Sequence, residues 1–271
     1  MVLINLFLHP SESHASEENL YLWNNSPEII ALILGLLLAY FVIVGPRRKD
    51  WVKDSPFPKK EFFNWVLGIG FLYVAIASPI DYIGEKHLFS VHMIQHIILI
   101  FVTPLFCLLA IPPWMAERIF SKNSRLKKIT HPFFAGLIFN GVFIFWHIPY
   151  FYELALVNKS VHDLEHLTFV LAALIMWWPI IRPVKSWEKQ PSSTLLLYLF
   201  VVATFQIPLF ILLTFAQDLW YPFYGEASRL EGSLNITPLE DQSFGGILMK
   251  IIAGIAYFVA FVYVWLKWTR D

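Results

Sequence analysis

Two stretches of this chain carry the side chains best suited to chemistry. SVHMIQH, Ser90 to His96, and SVHDLEH, Ser160 to His166, each set two histidines four positions apart in an otherwise apolar run. On a helix, residues i and i+4 share a face and lie about 6 Å apart along the axis. His92 therefore points with His96, and His162 with His166. Such a pair is a ready bidentate metal ligand, and the same spacing serves zinc in the HExxH motif. Two pairs on neighbouring helices could close around one ion or hold two. Imidazole suits zinc, copper, nickel and iron, while thioether sulfur favours Cu(I). Met93, beside the first pair, and Met249, in DQSFGGILMK, tilt the expectation toward copper. A fifth histidine, His147, ends an apolar run in FWHIPY. Gln95 and Met93 flank the first pair, as Glu165 and Asp163 flank the second. Gln95, Glu165 and Asp163 are expected to accept from the ring N–H groups that face away from a metal, fixing the tautomer. Asp241 stands just outside the run that holds Met249, either next to the metal ligands or as a helix N-cap, where Asp is favoured.

Other chemistries are excluded. The single cysteine, Cys107, lies inside an apolar run, so the chain holds no internal disulfide, CxxC pair or thiolate cluster of its own. There is no GxxxxGK[ST] and no GxGxxG opening a helix, and no nucleic-acid partner is expected.

The elements that must carry these residues are membrane spans. The composition is 57% apolar and 15% charged, against roughly 25% charge in soluble domains. Seven runs approach the length needed to cross about 30 Å of hydrocarbon: 27–45, 62–80, 90–111, 133–150, 161–181, 194–216 and 245–266. The segments after the first, third and fifth spans hold six, five and three basic residues, and the tail holds two, which places 16 of the 20 on one side. The positive-inside bias makes that side cytoplasmic. The reading is an all-α polytopic membrane protein of the cell membrane, with the N-terminus outside and the C-terminus inside. Residues 1–26 form a short extracytoplasmic segment and residues 27–271 a single seven-helix domain. MVLINLFLHPSESHA has an apolar part too short, with no preceding positive charge, for a typical signal peptide. The segment from Gln217 to Phe244, rich in aromatic and acidic residues, is expected to cap the outer face.

The two histidine motifs also reveal a repeat. They are offset by 70 residues, and at the same offset Pro79 matches Pro149 and Tyr82 matches Tyr152. Spans two and three thus resemble spans four and five as two parallel copies of one hairpin. Small residues in span two, Gly68, Gly70, Ala75 and Ala77, hint at a close helix contact that could serve a homodimer.

SPID before the third span, SVHMIQH, FWHIP, VHDLEH followed by WWP, and DQSFGG with ILMK occur in an order that resembles the CtaG family. These are seven-helix assembly factors of caa-type cytochrome c oxidases, and the likeness covers residues 62–266. The segment before the last span keeps the family pattern only loosely, as TPLEDQ. The resemblance implies a protein with no catalysis of its own that puts copper into the oxidase's catalytic subunit, subunit I. It also implies a copper donor upstream. The family's motif residues fall on His92, His96, His147, His162, His166 and Met249. Two other readings of the histidines stay open. One is a membrane zinc hydrolase, with three protein ligands, an open water position and Glu165 or Asp241 as base. The other is haem ligation, which two histidines one turn apart on each helix would crowd.

Overall fold

The computed structural model of the chain describes residues 23–52, 56–226 and 236–270. His9, His14 and most of the expected N-terminal segment lie outside the described residues, as does the middle of the expected outer loop. The described residues are helical throughout their ordered elements. In chain order these are α1 (Pro27–Val44), α2 (Arg48–Trp51), α3 (Lys59–Ala77), α4 (Pro79–Lys86), α5 (Phe89–Ile97), α6 (Thr103–Leu109), α7 (Pro113–Phe120), α8 (Ser124–Ile129), α9 (Pro132–His147), α10 (Pro149–Val157), α11 (Lys159–Ile181), α12 (Ser192–Thr214), α13 (Phe223–Glu226) and α14 (Pro238–Trp268). Six spans are long and apolar enough to cross a membrane, and α9 with α10, bent by 70° at Pro149, counts as a seventh when the pair is taken as one span. The protein is an all-α multi-pass membrane protein. Large apolar side chains such as Leu38, Phe133, Phe200 and Phe258 are exposed on the outside of the bundle, as a lipid solvent allows.

Local chemistry sets the element ends. Pro79 and Pro149 lack the N–H that would extend a helix, so α3 and α9 stop and a short helix starts anew at each proline. The 70-residue repeat is thereby visible as geometry. α4 and α10 begin at matched positions, and so do α5 and α11, at Phe89 and Lys159. The third span is less regular than its sequence. Between α5 and α6 the residues Ile98–Val102 form a π turn. Pro104 cannot donate to the Ile100 carbonyl, which instead accepts from the Trp177 indole at 3.1 Å. The last span starts about two turns earlier than expected. Thr237 and Glu240 form a reciprocal capping box that opens α14 at Pro238.

The core lies among α5, α9, α11, α12 and α14, with α14 packed on both α12 and α5 and α11 packed on α9 and α6. The small residues considered for a homodimer are largely used within the chain. Gly68, Ala75 and Ala77 are buried, and a Cβ at Gly68 would come within 2.9 Å of Cys107 Sγ on α6. Only Gly70 of the four faces outward. Gly68 thus packs against α6 within the chain.

The basic loops converge at one end of the bundle. The Glu117 carboxylate of α7 accepts from both the amide and hydroxyl of Ser186 in the loop after α11. The histidine motifs lie at the other end. Cysteines introduced near Ser13 and at Ser121, with Cys107 replaced by Ser, test the expected sidedness. An impermeant thiol reagent on intact cells should label the first and spare the second, and the reverse pattern would put the histidines on the cytoplasmic side.

Candidate metal centre

The two histidine helices meet. α5 and α11 face each other so that His92, His96, Glu165 and His166 offer ligand atoms that all lie within 4.8 Å of one another. The His92 and His96 Nε2 atoms are 2.8 Å apart, and Glu165 Oε1 is 3.6 Å from His96 Nε2. Ligands on a tetrahedral ion with bonds of about 2.0–2.1 Å stand about 3.3 Å apart, so the spacing is of the right order for one shared ion. Asp81, His162 and His166 make a second set within the same limit. His166 belongs to both. The centroids of the His162 and His166 rings are 4.0 Å apart, and those of His92 and His162 5.5 Å. His147 stands behind, its centroid 6.0 Å from that of His96, with Nδ1 tied to the Phe143 carbonyl.

All of these groups except the half-buried Asp81 are withdrawn from solvent. The five histidines expose between 0% and 7% of their surface, and Glu165 exposes none. Yet His162 Nε2, His166 Nε2, His147 Nε2, His96 Nδ1 and both Glu165 oxygens have no hydrogen-bond partner. Buried polar groups are nearly always satisfied, and an orphan costs on the order of 1–3 kcal/mol. The unpartnered Glu165 oxygens and His166 Nε2 belong to residues of the first set and suit a cation, which would accept their lone pairs. The walls are aromatic. Phe169 lies against His96 and Phe143 against His147, while Tyr152 lies against His92.

Residues 220–226 of the Gln217–Phe244 segment pack against the histidine end. Tyr221 donates to the His147 carbonyl at 2.9 Å, Tyr224 to the Gly84 carbonyl at 2.8 Å, and the Trp220 amide donates to Gln242. Tyr221 also stacks on Phe89, the first residue of α5.

Several flanking residues take other places than expected. Asp163 is exposed and pairs with Lys159 at 3.3 Å, because its flank of α11 looks out of the bundle. Asp241 does not face the rings. Its two carboxylate oxygens both lie 3.4 Å from the Ser90 amide, so it caps the start of α5 from α14. Gln95 orients no histidine. Its Nε2 donates to Asp81 Oδ1 at 2.6 Å and to the Ala75 carbonyl at 2.8 Å, the acceptor left without its usual donor by Pro79. Glu165, expected to support a ring from outside, stands among the ligand atoms themselves. Met93 is fully buried in the α5–α14 contact, where its Cγ faces Gly245. Met249 lines a small cavity with His96 and Gln206.

Two members were missed from sequence. Asp81 joins the second ligand set, and Glu85 Oε1 lies 2.8 Å from His162 Nδ1. Both sit on α4, a helix too short to cross a membrane. Burial and the nearby Glu85 carboxylate push Asp81 up to about 6. Burial also acts to raise Glu85, but the hydrogen bond and charge of His162 outweigh it and hold Glu85 below the usual carboxylate range. The available signal was their i, i+4 spacing in SPIDYIGE, the same spacing as the histidine pairs.

No curated protein and no solved structure matches this chain. A sequence model of the cytochrome c oxidase caa3 assembly factors (Caa3_CtaG) matches residues 38–271, which include both histidine helices, α4 and the span that carries Met249. A buried imidazole–carboxylate cluster inside a seven-span bundle is thus the property of a chain that belongs to the cytochrome c oxidase caa3 assembly factor family.

Proposed function

We propose that this assembly factor binds copper as Cu(I) through His92, His96, His166 and Glu165, and delivers it to subunit I of the oxidase in the cell membrane. The observation that carries the reading is the convergence of three buried imidazoles and one carboxylate whose ligand atoms lie within 4.8 Å, with the Glu165 oxygens and His166 Nε2 unpartnered among the described residues. Neutral imidazoles suit copper, and Met249, which lines a cavity with His96, offers a thioether that favours Cu(I). Charge points the same way. Counting the first set alone, a monovalent ion with the Glu165 carboxylate leaves no net charge to be desolvated, whereas a divalent ion does. The site also suits release. It contains no thiolate, and the ligands of the second set, with Glu85, lead toward the exposed Lys159–Asp163 pair. Copper from a donor protein would reach His162 first and the deeper set after it. The protein holds its cargo and performs no catalysis. Bound copper competes with protons for the same nitrogen atoms, so retention falls as the medium is acidified.

Metal analysis of the purified full chain, offered Cu(I) under anaerobic conditions and zinc in parallel, tests the proposal. Copper should be retained in stoichiometric amount and in preference to zinc. Met249→Leu should weaken Cu(I) binding by about tenfold if the thioether sits at the edge of the coordination sphere. Cells lacking the protein should make caa3 oxidase that contains haem but is deficient in copper. Protein that takes up no copper, or that prefers zinc, would overturn the reading.

A further inference from the structure

The end of the bundle opposite the histidines contains a cavity of about 110 Å³ that the copper reading does not use. It lies where α8, α9, α11, α12 and α14 meet, beneath the loop 182–190. Lys127, Arg182, Lys185, Lys189 and Lys267 line it, and Glu188 is the one carboxylate among the described lining residues. Water occupies roughly 30 Å³ per molecule in the liquid, so the space takes a group the size of a few waters.

Three features show that this is a built site rather than a run of surface lysines. First, the backbone is held in a special form. Arg182 is the one described non-glycine residue with positive φ, at 50°, a conformation that side chains other than glycine adopt at a cost. Its Nη2 donates to the carbonyls of Lys185 and Trp187, both at 2.7 Å, and so curls the loop over the cavity. Second, donors are left waiting. Trp178 lines the cavity and exposes only 8% of its surface, and among the described residues its indole N–H and the buried Arg182 Nε have no hydrogen-bond partner. Third, α12 opens at Ser192 on the cavity wall with no side-chain cap. Its first amides and its dipole present partial positive charge there. Like charges are also crowded. Burial, Arg182 and Lys267 together hold Lys185 below the usual lysine range. An anion would relieve that repulsion and accept from the waiting N–H groups.

We propose that this cavity binds a phosphate group, carried by an anionic lipid head group or by a soluble phosphate. Basic pockets between membrane helices are well suited to lipid phosphates. Trp187 and the exposed Tyr263, which also line the cavity, provide the aromatic surface expected at the level of the head groups.

The test uses the purified full chain in neutral detergent. Native mass spectrometry with phosphatidylglycerol and phosphatidylcholine reads lipid retention, and tryptophan fluorescence reads a titration with inorganic phosphate at constant ionic strength. Wild type should keep phosphatidylglycerol over phosphatidylcholine, or respond to phosphate, or both. Lipid retention without a phosphate response assigns the head group, a phosphate response without lipid preference assigns the soluble ligand, and both together show a phosphate site open to either source. Lys185→Gln with Lys267→Gln should weaken binding by about tenfold to thirtyfold. Ser192→Glu, which places a carboxylate at an accessible point on the wall, should weaken it without removing a cation. Lys49→Gln with Lys60→Gln changes the net charge equally but lies on α2 and α3, away from the cavity, and should bind as wild type. Absence of both lipid preference and phosphate response in wild type would overturn the proposal. So would an equal loss in the remote Lys49/Lys60 variant, since that would make the attraction one of general surface charge.

Discussion

Replacing His166 with alanine should weaken copper binding more than any other single substitution, by about 100-fold or more. Loss of a group that merely supports a metal ligand costs about 10–100-fold. His166 is itself a candidate ligand, and it is the residue shared by the two sets. The apo fold should survive. His166 is buried with an unpartnered Nε2, so its removal deletes an orphaned polar atom as well as some packing. The two effects oppose each other, and the apo protein should lose no more than about 1–2 kcal/mol. The informative measurement is a pair of thermal melts, with and without Cu(I), beside a competition titration against a copper chelator. Wild type should melt higher with copper, because a ligand that binds only the folded state stabilises it. His166→Ala should melt near the apo wild type in both conditions. His92→Ala should show the same pattern, and its cells should make oxidase short of copper but not of haem. A His166→Ala protein that binds copper normally would remove His166 from the coordination sphere. One that unfolds without copper would recast the imidazole as a structural group.

Gly84→Ala should damage copper binding without touching a ligand. Gly84 is where α4 crosses α5, and a Cβ placed there comes within 2.9 Å of both the Cα and the N of His92. Those are backbone atoms of a buried helix and cannot rotate away, so α4 must shift. α4 carries Asp81 and Glu85, and Tyr224 of the capping segment holds the Gly84 carbonyl. Overpacking of this kind costs about 1–3 kcal/mol. The displacement should also lower copper affinity by about tenfold or more, in the range seen when a supporting contact is lost. Gly254→Ala on α14 is the matched control, because nothing lies within 4 Å of its Cβ position. Alanine is a better helix former than glycine by about 0.5–1 kcal/mol, so this variant should be as stable as wild type or more so, with copper binding intact. Melting temperatures and copper competition on both variants decide the matter. Wild-type behaviour of Gly84→Ala would mean that the α4–α5 contact does not set the geometry of the centre.

Much of this architecture can be read from the chain alone. Apolar run length, basic-loop asymmetry and the 70-residue offset identify the spans, the repeated hairpin and the two histidine pairs. Each of these depends on local rules: helix period, hydrocarbon thickness and the missing N–H of Pro79 and Pro149. The centre also needed the angle at which each helix faces its neighbours, and no local rule supplies that. Met93 and Asp163 occupy the same flank of their helices, about 100° on from the first histidine. In α5 that flank is buried against α14, and in α11 it faces outward, so one residue packs and the other pairs with Lys159 at the surface. Gln95 and Glu165 are likewise equivalent in the repeat. Gln95 is drawn off to Asp81 and the Ala75 carbonyl, whereas Glu165 has neither partner and turns toward His96. Asp81 and Glu85 entered the site, and Asp241 left it for the Ser90 amide, for the same reason. Periodicity says which residues share a face, but side-chain packing between helices distant in sequence decides what that face meets.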